Sequence, residues 1–290
     1  MASETISTVL VPAPSLDLVD LATVKDELQL ADTTNDTWLT RAIQQISRAI
    51  RNYCNRDFAI ETVQDLIYPA RGSYVYKATG DIPALQLSHW PIVSSPLTLP
   101  TTSAAIAGGA VLAFADATGV AIGQPVAGAT IPPGAVVTAI AGGNVTLSKP
   151  LAAALPAGSL VTFGLAVAIT DPPGVLTWLT ADQDFRIDAA PAQLVRLGLY
   201  DGQPMIWKPV PTVAVYQAGF ATVPEDIADA ALRAISARFA SRGRDPLLRS
   251  QDQPGLGTQH YWVGTVPGIR GAFTEEVADL LDNYRVDVAA

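Results

Sequence analysis

Apolar residues recur at helical spacing in four stretches of the chain. Asp20 is placed to accept the free amides of a first turn, and Leu21, Val24 and Leu28 behind it make one short stripe. Leu39, Ile43, Ile46, Ile50 and Tyr53 follow at steps of three and four, predicting a longer helix from Asn35 to Asn52 and, with the first, a helical hairpin. Further on, Thr222-Val223-Pro224-Glu225 reads as a capping box with a proline in the first turn, opening a helix through Ile227, Ala231, Ala234, Ile235 and Phe239 to a stop at Gly243. Thr274 starts a last amphipathic helix with Val277, Leu280, Leu281 and Tyr284 on one face. Between these stretches the period falls to two. Thr62 to Ile67, Tyr74 to Tyr76, Leu85 to Leu87, Val175 to Leu179, Asp184 to Ile187, Leu194 to Leu197 and Thr212 to Ala218 predict strands. The Gly/Pro-rich stretch from Arg244 to Ala272 predicts a long irregular arm, and loops of that length usually serve a contact outside their own domain.

Charge divides the chain more sharply than hydropathy does. Of the 89 residues between Asp81 and Asp171, only Asp116 and Lys149 are charged. Residues 1–81 carry 7 basic and 11 acidic groups and residues 171–290 carry 10 and 15, so the flanks match each other and not the middle. One discontinuous domain with an insertion is the economical reading. Inside the insert, runs at Ala110 to Phe114, Val136 to Ile140, Val145 to Leu147 and Leu160 to Phe163 alternate with Gly108-Gly109, Pro132-Pro133-Gly134, Gly142-Gly143-Asn144 and Pro156-Ala157-Gly158, the spacing of a small all-β meander or sandwich. The expected fold is therefore α+β: a discontinuous core of about four helices with a small antiparallel β-sheet over residues 1–96 and 167–290, carrying an inserted all-β domain at residues 97–166.

Composition narrows the function. At 49% hydrophobic and 16% charged residues over 290, the chain has apolar surface to spare for contacts between subunits. A net charge of −9 argues against a phosphate-neutralising surface, so DNA can pass nearby without being held. Cys54 is the single cysteine and His89 and His260 the two histidines, which excludes an intrachain disulfide and the common four-ligand zinc sites. The N-terminus lacks a basic leader region and no run has the length and apolarity of a membrane span, so synthesis in the cytoplasm and no membrane partner are expected.

Catalytic chemistry finds little support. Neither histidine accompanies a recognisable nucleophile motif; His89, in Ser88-His89-Trp90-Pro91, reads as a strand-end residue, and His260, beside Tyr261 and Trp262, as a contact residue. Asp182, Asp184 and Asp188 alternate with Phe185 and Ile187, the pattern of a polar strand face, and lack the glycine and distal glutamate of a calcium loop. Gly142-Gly143-Asn144 and Gly255-Leu256-Gly257 read as turns rather than phosphate cradles. Arg233, Arg238, Arg242, Arg244 and Arg249 form a basic run, read first as a solvated helix face and second as a contact for an acidic partner or passing DNA. No cofactor and no enzymatic activity are expected.

The flanks do resemble a family. Asp20-Leu21-Ala22-Thr23-Val24-Lys25-Asp26-Glu27-Leu28-Gln29-Leu30, followed by Asp36 to Arg56 with its Tyr53-Cys54-Asn55-Arg56 ending, resembles the opening helical hairpin of the head–tail connector (adaptor) proteins of tailed bacteriophages. Leu87-Ser88-His89-Trp90-Pro91-Ile92 and Asp184-Phe185-Arg186-Ile187-Asp188 are similar to later family segments, in the same order. Most specific is Val215-Tyr216-Gln217-Ala218-Gly219-Phe220, then Val223-Pro224-Glu225-Asp226-Ile227 and Ala230 to Arg242, resembling the family's strand, turn and helix. The insert departs from the shorter connectors and is similar to Gly/Pro/Thr-rich modules of phage tail proteins through Gly123-Gln124-Pro125-Val126, Ile131-Pro132-Pro133-Gly134 and Val145-Thr146-Leu147-Ser148.

What the resemblance implies is a virion structural protein of the neck. It would form a ring, commonly of twelve subunits, beneath the portal protein, contact neighbouring adaptor subunits and a stopper or tail-completion protein, and extend the channel for passing double-stranded DNA. Arg244, Arg249, His260, Tyr261 and Trp262 of the arm and Val277, Leu280, Leu281 and Tyr284 of the last helix are the expected contacts to portal or neighbour. A virion surface receptor-binding or decoration protein is the alternative, which the insert alone would suit.

Overall fold

The computed structural model describes residues 4–68, 84–93, 95–171, 175–198, 202–242, 250–253, 257–260 and 273–286. In chain order the elements are β1 (Glu4–Val11), α1 (Leu21–Glu27), α2 (Asp36–Cys54), β2 (Glu61–Tyr68), β3 (Ala84–Gln86), β4 (Leu97–Pro100), β5 (Val111–Ala113), β6 (Pro125–Ala127), β7 (Ala135–Ala141), β8 (Asn144–Leu147) and β9 (Leu160–Phe163). They continue as β10 (Leu165–Thr170), β11 (Leu176–Leu179), β12 (Phe185–Asp188), β13 (Gln193–Arg196), β14 (Thr212–Ala218), α3 (Glu225–Ala240), β15 (Ser250–Gln253), β16 (Gly257–His260) and α4 (Glu275–Asp282). The fold is α+β. It divides into two units: Met1–Ala13 with Ile60–Ala221, which holds the strands up to β14, and Pro14–Ala59 with Thr222–Ala290, which holds the helices. The expected cut grouped the central sheet with the helices; here that sheet shares a unit with the insert.

In the first unit a five-stranded antiparallel sheet runs β1-β2-β14-β10-β11. Two of its middle strands, β14 and β10, read as nearly unbroken apolar runs because both faces are covered. Ala214, Tyr216 and Ala218 of β14, Leu165 and Val167 of β10, and Val63 and Ile67 of β2 point to one face, where they pack with Leu85, Phe185, Leu194 and Trp207. These come from, or lie beside, a three-stranded sheet in the order β12-β13-β3. Val213, Val215 and Ala166 point the other way, toward Ala127 of β6 in the insert. Thr62 and Gln64, also on that second face, meet the insert: Thr62 Oγ1 donates to the Gly123 carbonyl at 2.6 Å, and a Cβ on Gly134 would lie 2.3 Å from Gln64 Oε1.

The insert has its own core. Its six strands run β4-β9-β6-β7-β8-β5, and a bridge between Thr101 and Phe114 joins the two outer strands, so the sheet curls back on itself. Phe163, Val161, Val126, Val137, Val145, Leu112 and Phe114 fill the interior, with the Phe114 and Phe163 rings edge to face at 5.4 Å. Leu97 lies opposite Phe163, so the two crossings into the insert are neighbours.

Two details differ from the expectation at helix ends and in the arm. The capping box does not form: Pro224 sits at φ −54°, ψ 140°, outside the first turn, and α3 begins after it with no side-chain cap. The Pro224 carbonyl instead takes the amides of Ile227 and Ala228, both at 3.0 Å. The arm is not wholly irregular, since β15 and β16 pair antiparallel with Ser250 opposite His260. The predicted strand at Tyr74 to Tyr76 and the helix stop at Gly243 lie outside the described residues. Conversely β1 carries no clear alternation, and its pairing with β2 supplies what its sequence lacks.

Candidate functional site

The helical unit is assembled around α2. Asp20 caps α1 by accepting the Thr23 amide at 2.7 Å, a bond that also holds its carboxyl below the ordinary range. Ser47 reaches back from α2 to accept the Leu18 amide at 3.0 Å, which fixes the chain entering α1. At the far end Asn55 adopts the left-handed conformation and stops α2, as a C-terminal cap requires of an asparagine or glycine.

That end receives α4. The Val286 amide donates to the Cys54 carbonyl at 2.9 Å, Tyr53 donates to Asp282 at 2.7 Å, and the Tyr53 ring packs edge-on against Phe273 at 5.9 Å. Phe58 and Tyr284 do the same at 6.1 Å. Burial pushes the Cys54 thiol up to about 11 and raises Tyr53, where the hydrogen bond to Asp282 adds to the effect. A thiol so placed is a packing residue rather than a nucleophile.

These contacts correct part of the expected partner face. Val277 and Leu281 are buried, Leu281 completely, against their own chain. A helix turns its most apolar stripe to its own bundle, which encloses Leu281 and leaves Val277 only an edge in the groove described below. Leu280 and Tyr284 remain half-exposed, and the Tyr284 hydroxyl reaches Asp226 at 3.4 Å. His260 ends β16, with its side chain outside the described residues, as are Arg244, Arg249, Tyr261 and Trp262.

Two arginines of the basic run are engaged at home. Arg233 pairs with Asp229 at 2.9 Å and Glu276 at 3.4 Å; Arg242 bonds Asn35 at 2.6 Å and lies over the Trp38 ring at 5.2 Å. Arg238 and Arg233 stand beside a groove of ≈ 710 Å³ whose apolar wall is Ile46, Ala234, Phe273 and Val277. Its rim carries Glu276 beside the two arginines.

In the strand unit the structure assembles a polar cluster that spacing alone did not reveal. Asp65 is fully buried on the apolar face of β2 between Val63 and Ile67. It accepts the Tyr216 hydroxyl at 2.7 Å, the Ser88 amide at 2.8 Å and the Ser88 hydroxyl at 2.6 Å. Tyr216 in turn accepts the His89 amide at 3.0 Å, and His89 Nδ1 lies 2.8 Å from Ser88 Oγ. Burial, and then the Asp65 charge, drive the Tyr216 phenol well above its ordinary value.

The order of groups is carboxylate, serine, imidazole, whereas an acyl-transfer triad needs the imidazole in the middle to take the serine proton. The Ser88 proton already goes to Asp65. The cluster pins the Ser88-His89 segment to β2 and β14. The sequence signal for it was a carboxylate at an inward position of an otherwise apolar strand. Asp184 is similarly used up, bonded to the Thr180 amide at 2.8 Å and paired with Arg196 at 3.2 Å. Among the described residues no group of three or more His, Cys, Asp and Glu side chains is arranged to hold a metal ion, and no helix is long and apolar enough to cross a membrane.

No family model and no curated protein matches the chain. Among solved structures it is similar to a chain in the neck of an empty gene transfer agent particle computed with C6 symmetry, at 15% identity and a TM-score of 0.37 over 98% of this chain and 97% of that one. It is similar to a chain in the virion of the native gene transfer agent particle, at 14% identity and 0.43 over the same shares. A third, in the neck of the native particle computed with C12 symmetry, stands at 15% and 0.40, again over 98% and 97%.

Proposed function

We propose that the protein is a structural head–tail adaptor of a tailed phage or phage-like particle, assembling as a ring of twelve beneath the portal and docking the stopper or tail. The observation that carries this reading is the ordered set of segments that resemble those of adaptors, the longest of which fall on helices and on a strand–turn–helix unit here. The Asp20 motif is the cap and body of α1, Asp36 to Arg56 is α2 with its left-handed stop, and Val215 to Arg242 is the second half of β14, its turn and α3. The acidic balance fits a wall past which DNA slides, because a surface that neutralises few phosphates holds DNA weakly. Engagement of Arg233 and Arg242 by their own chain points the same way.

In this reading the residues facing the portal come from the arm, from Leu280 and Tyr284, and from the groove beside Arg233 and Arg238, while no residue performs catalysis. The nearly uncharged insert lies away from the channel. Ile106, Leu160 and Ile122, exposed by 78%, 66% and 65%, give it an apolar surface suited to a second virion protein, which is also what a decoration protein would show.

Blocking the gene with a nonsense mutation separates the two. An adaptor's loss leaves heads that fill with DNA but carry no tail and leak their DNA. Tailed, DNA-retaining particles lacking only this protein would overturn the adaptor reading in favour of decoration.

A further inference from the structure

The five-stranded sheet ends on β1 at one side and β11 at the other, and among the described residues neither has a strand along its outer side. An open edge presents a row of amide and carbonyl groups ready to pair, and monomeric proteins normally blunt such edges with lysine, proline, a bulge or a covering loop. Among the described residues neither β1 nor β11 contains lysine or proline, and the one charge on either strand is Glu4 at the start of β1. Glu4 to Val9 are all exposed, Ile6 by 48% and Val9 by 43%, and the one irregularity of β1 lies at its end, between Val9 and Val11. Val175, beside β11, is 51% exposed. Residues 5–16 and 172–181 contain no charged side chain in a chain of net charge −9. Two copies can therefore meet along these edges without the like-charge repulsion that the rest of an acidic surface imposes.

We propose that β1 of one copy pairs with β11 of the next, joining the five-stranded sheets of neighbouring copies edge to edge. This rests on the ring reading above and names the contact that builds the ring. Each neighbouring pair in the sheet is antiparallel, so β1 and β11, four places apart, run in the same direction. A copy rotated onto the next without being inverted sets β11 beside β1 as a parallel pair. A two-fold dimer would instead set β1 against β1 and leave β11 bare on both copies. The head-to-tail contact covers both edges of every copy and repeats, as a closed ring demands. Its ladder is short, limited by the four residues of β11, and parallel pairing is slightly weaker per residue than antiparallel. The contact is accordingly weak alone and is completed when a template holds the copies side by side.

The test uses the full chain carrying Thr8→Cys, Thr177→Cys, or both, treated with a short bismaleimide, alone and on portal rings from the same genome. Cys54 is buried and silent. The double variant is expected to give a ladder of dimer, trimer and higher species, strengthened by portal, while each single variant stays monomeric. Adding Ile6→Lys and Val9→Lys is expected to abolish the ladder without shifting the melting temperature. Dimer from Thr8→Cys alone, with no trimer from the double variant, would overturn the proposal in favour of two-fold pairing. A ring on the portal with no cross-link in the double variant would overturn it while leaving the adaptor reading intact. A ladder from a protein that ignores the portal would uphold the edge contact and remove the adaptor reading.

Discussion

Asp65 is the residue whose environment departs furthest from its type, a carboxylate enclosed by valine, isoleucine and tyrosine and kept there by three donated hydrogen bonds. Removing one donor leaves a buried charge short of a partner, so Tyr216→Phe is expected to cost about 1–3 kcal/mol and lower the melting temperature by several degrees. Scanning calorimetry checks this, and an unchanged transition would mean the cluster is not holding the sheet. Alkaline pH probes a second site. The Cys54 thiol ionises near 9 when unfolded and near 11 when folded, so above pH 9 the unfolded chain loses a proton that the folded one keeps. Folding then binds more protons and stability falls as pH rises. Melting temperatures are expected to be flat from pH 7 to 9 and to decline from there toward 11, with a shallower decline in Cys54→Ala. The comparison is cleanest between pH 9 and 10, because burial pulls the Arg56 guanidinium down to about 10 and its opposing contribution begins only there.

The elements were legible where one physical signal governed them. Steps of three and four in Leu39, Ile43, Ile46 and Ile50 define α2 because its buried face is continuous, and Thr212 to Ala218 is apolar at nearly every position because β14 is covered on both sides. What stayed hidden depended on partners distant in sequence. β1 is a strand only through β2, and the Asp65 cluster joins residues 65, 88 and 216. The seating of α4 is hidden for a related reason: reach along the arm favours a partner, while its contacts Cys54, Tyr53 and Phe58 stand more than two hundred residues away. The correction is measurable. Leu281→Ala is expected to cost about 2–5 kcal/mol by emptying a filled site, and Leu280→Ala well under half of that. Equal losses in chemical denaturation would argue that α4 is not seated as described. In the β7–β8 turn, Gly142 has φ +61° and open space, whereas a Cβ on Gly143 would lie 2.2 Å from the Phe114 carbonyl oxygen. Gly142→Asn is therefore expected to stay within about 0.5 kcal/mol of the parent and Gly143→Ala to lose roughly 1–3 kcal/mol.

At the scale of the molecule, the flat charge profile of residues 82–170 marked a separate module, but not that the module covers one face of the central sheet. Charge reports solvent exposure, and a small apolar contact such as Ala127 against Ala166, Val213 and Val215 leaves no trace in it. Replacing Thr98 to Gly164 by a short Gly/Ser linker is geometrically easy, since Leu97 and Phe163 are neighbours, yet it uncovers those side chains. Helical circular dichroism is expected to survive, with early melting of the strand unit; loss of the helices as well would contradict the two-unit division.

The proposed role, a ring seated under a portal, can be seen directly. The most direct measurement is a cryo-EM reconstruction of the purified protein mixed with portal rings from its own genome. The expected map shows one added ring on the end of the portal that faces away from the capsid, with one copy of this chain per portal subunit and an open central channel. Portal rings left bare, or copies scattered over capsid surfaces instead, would contradict it.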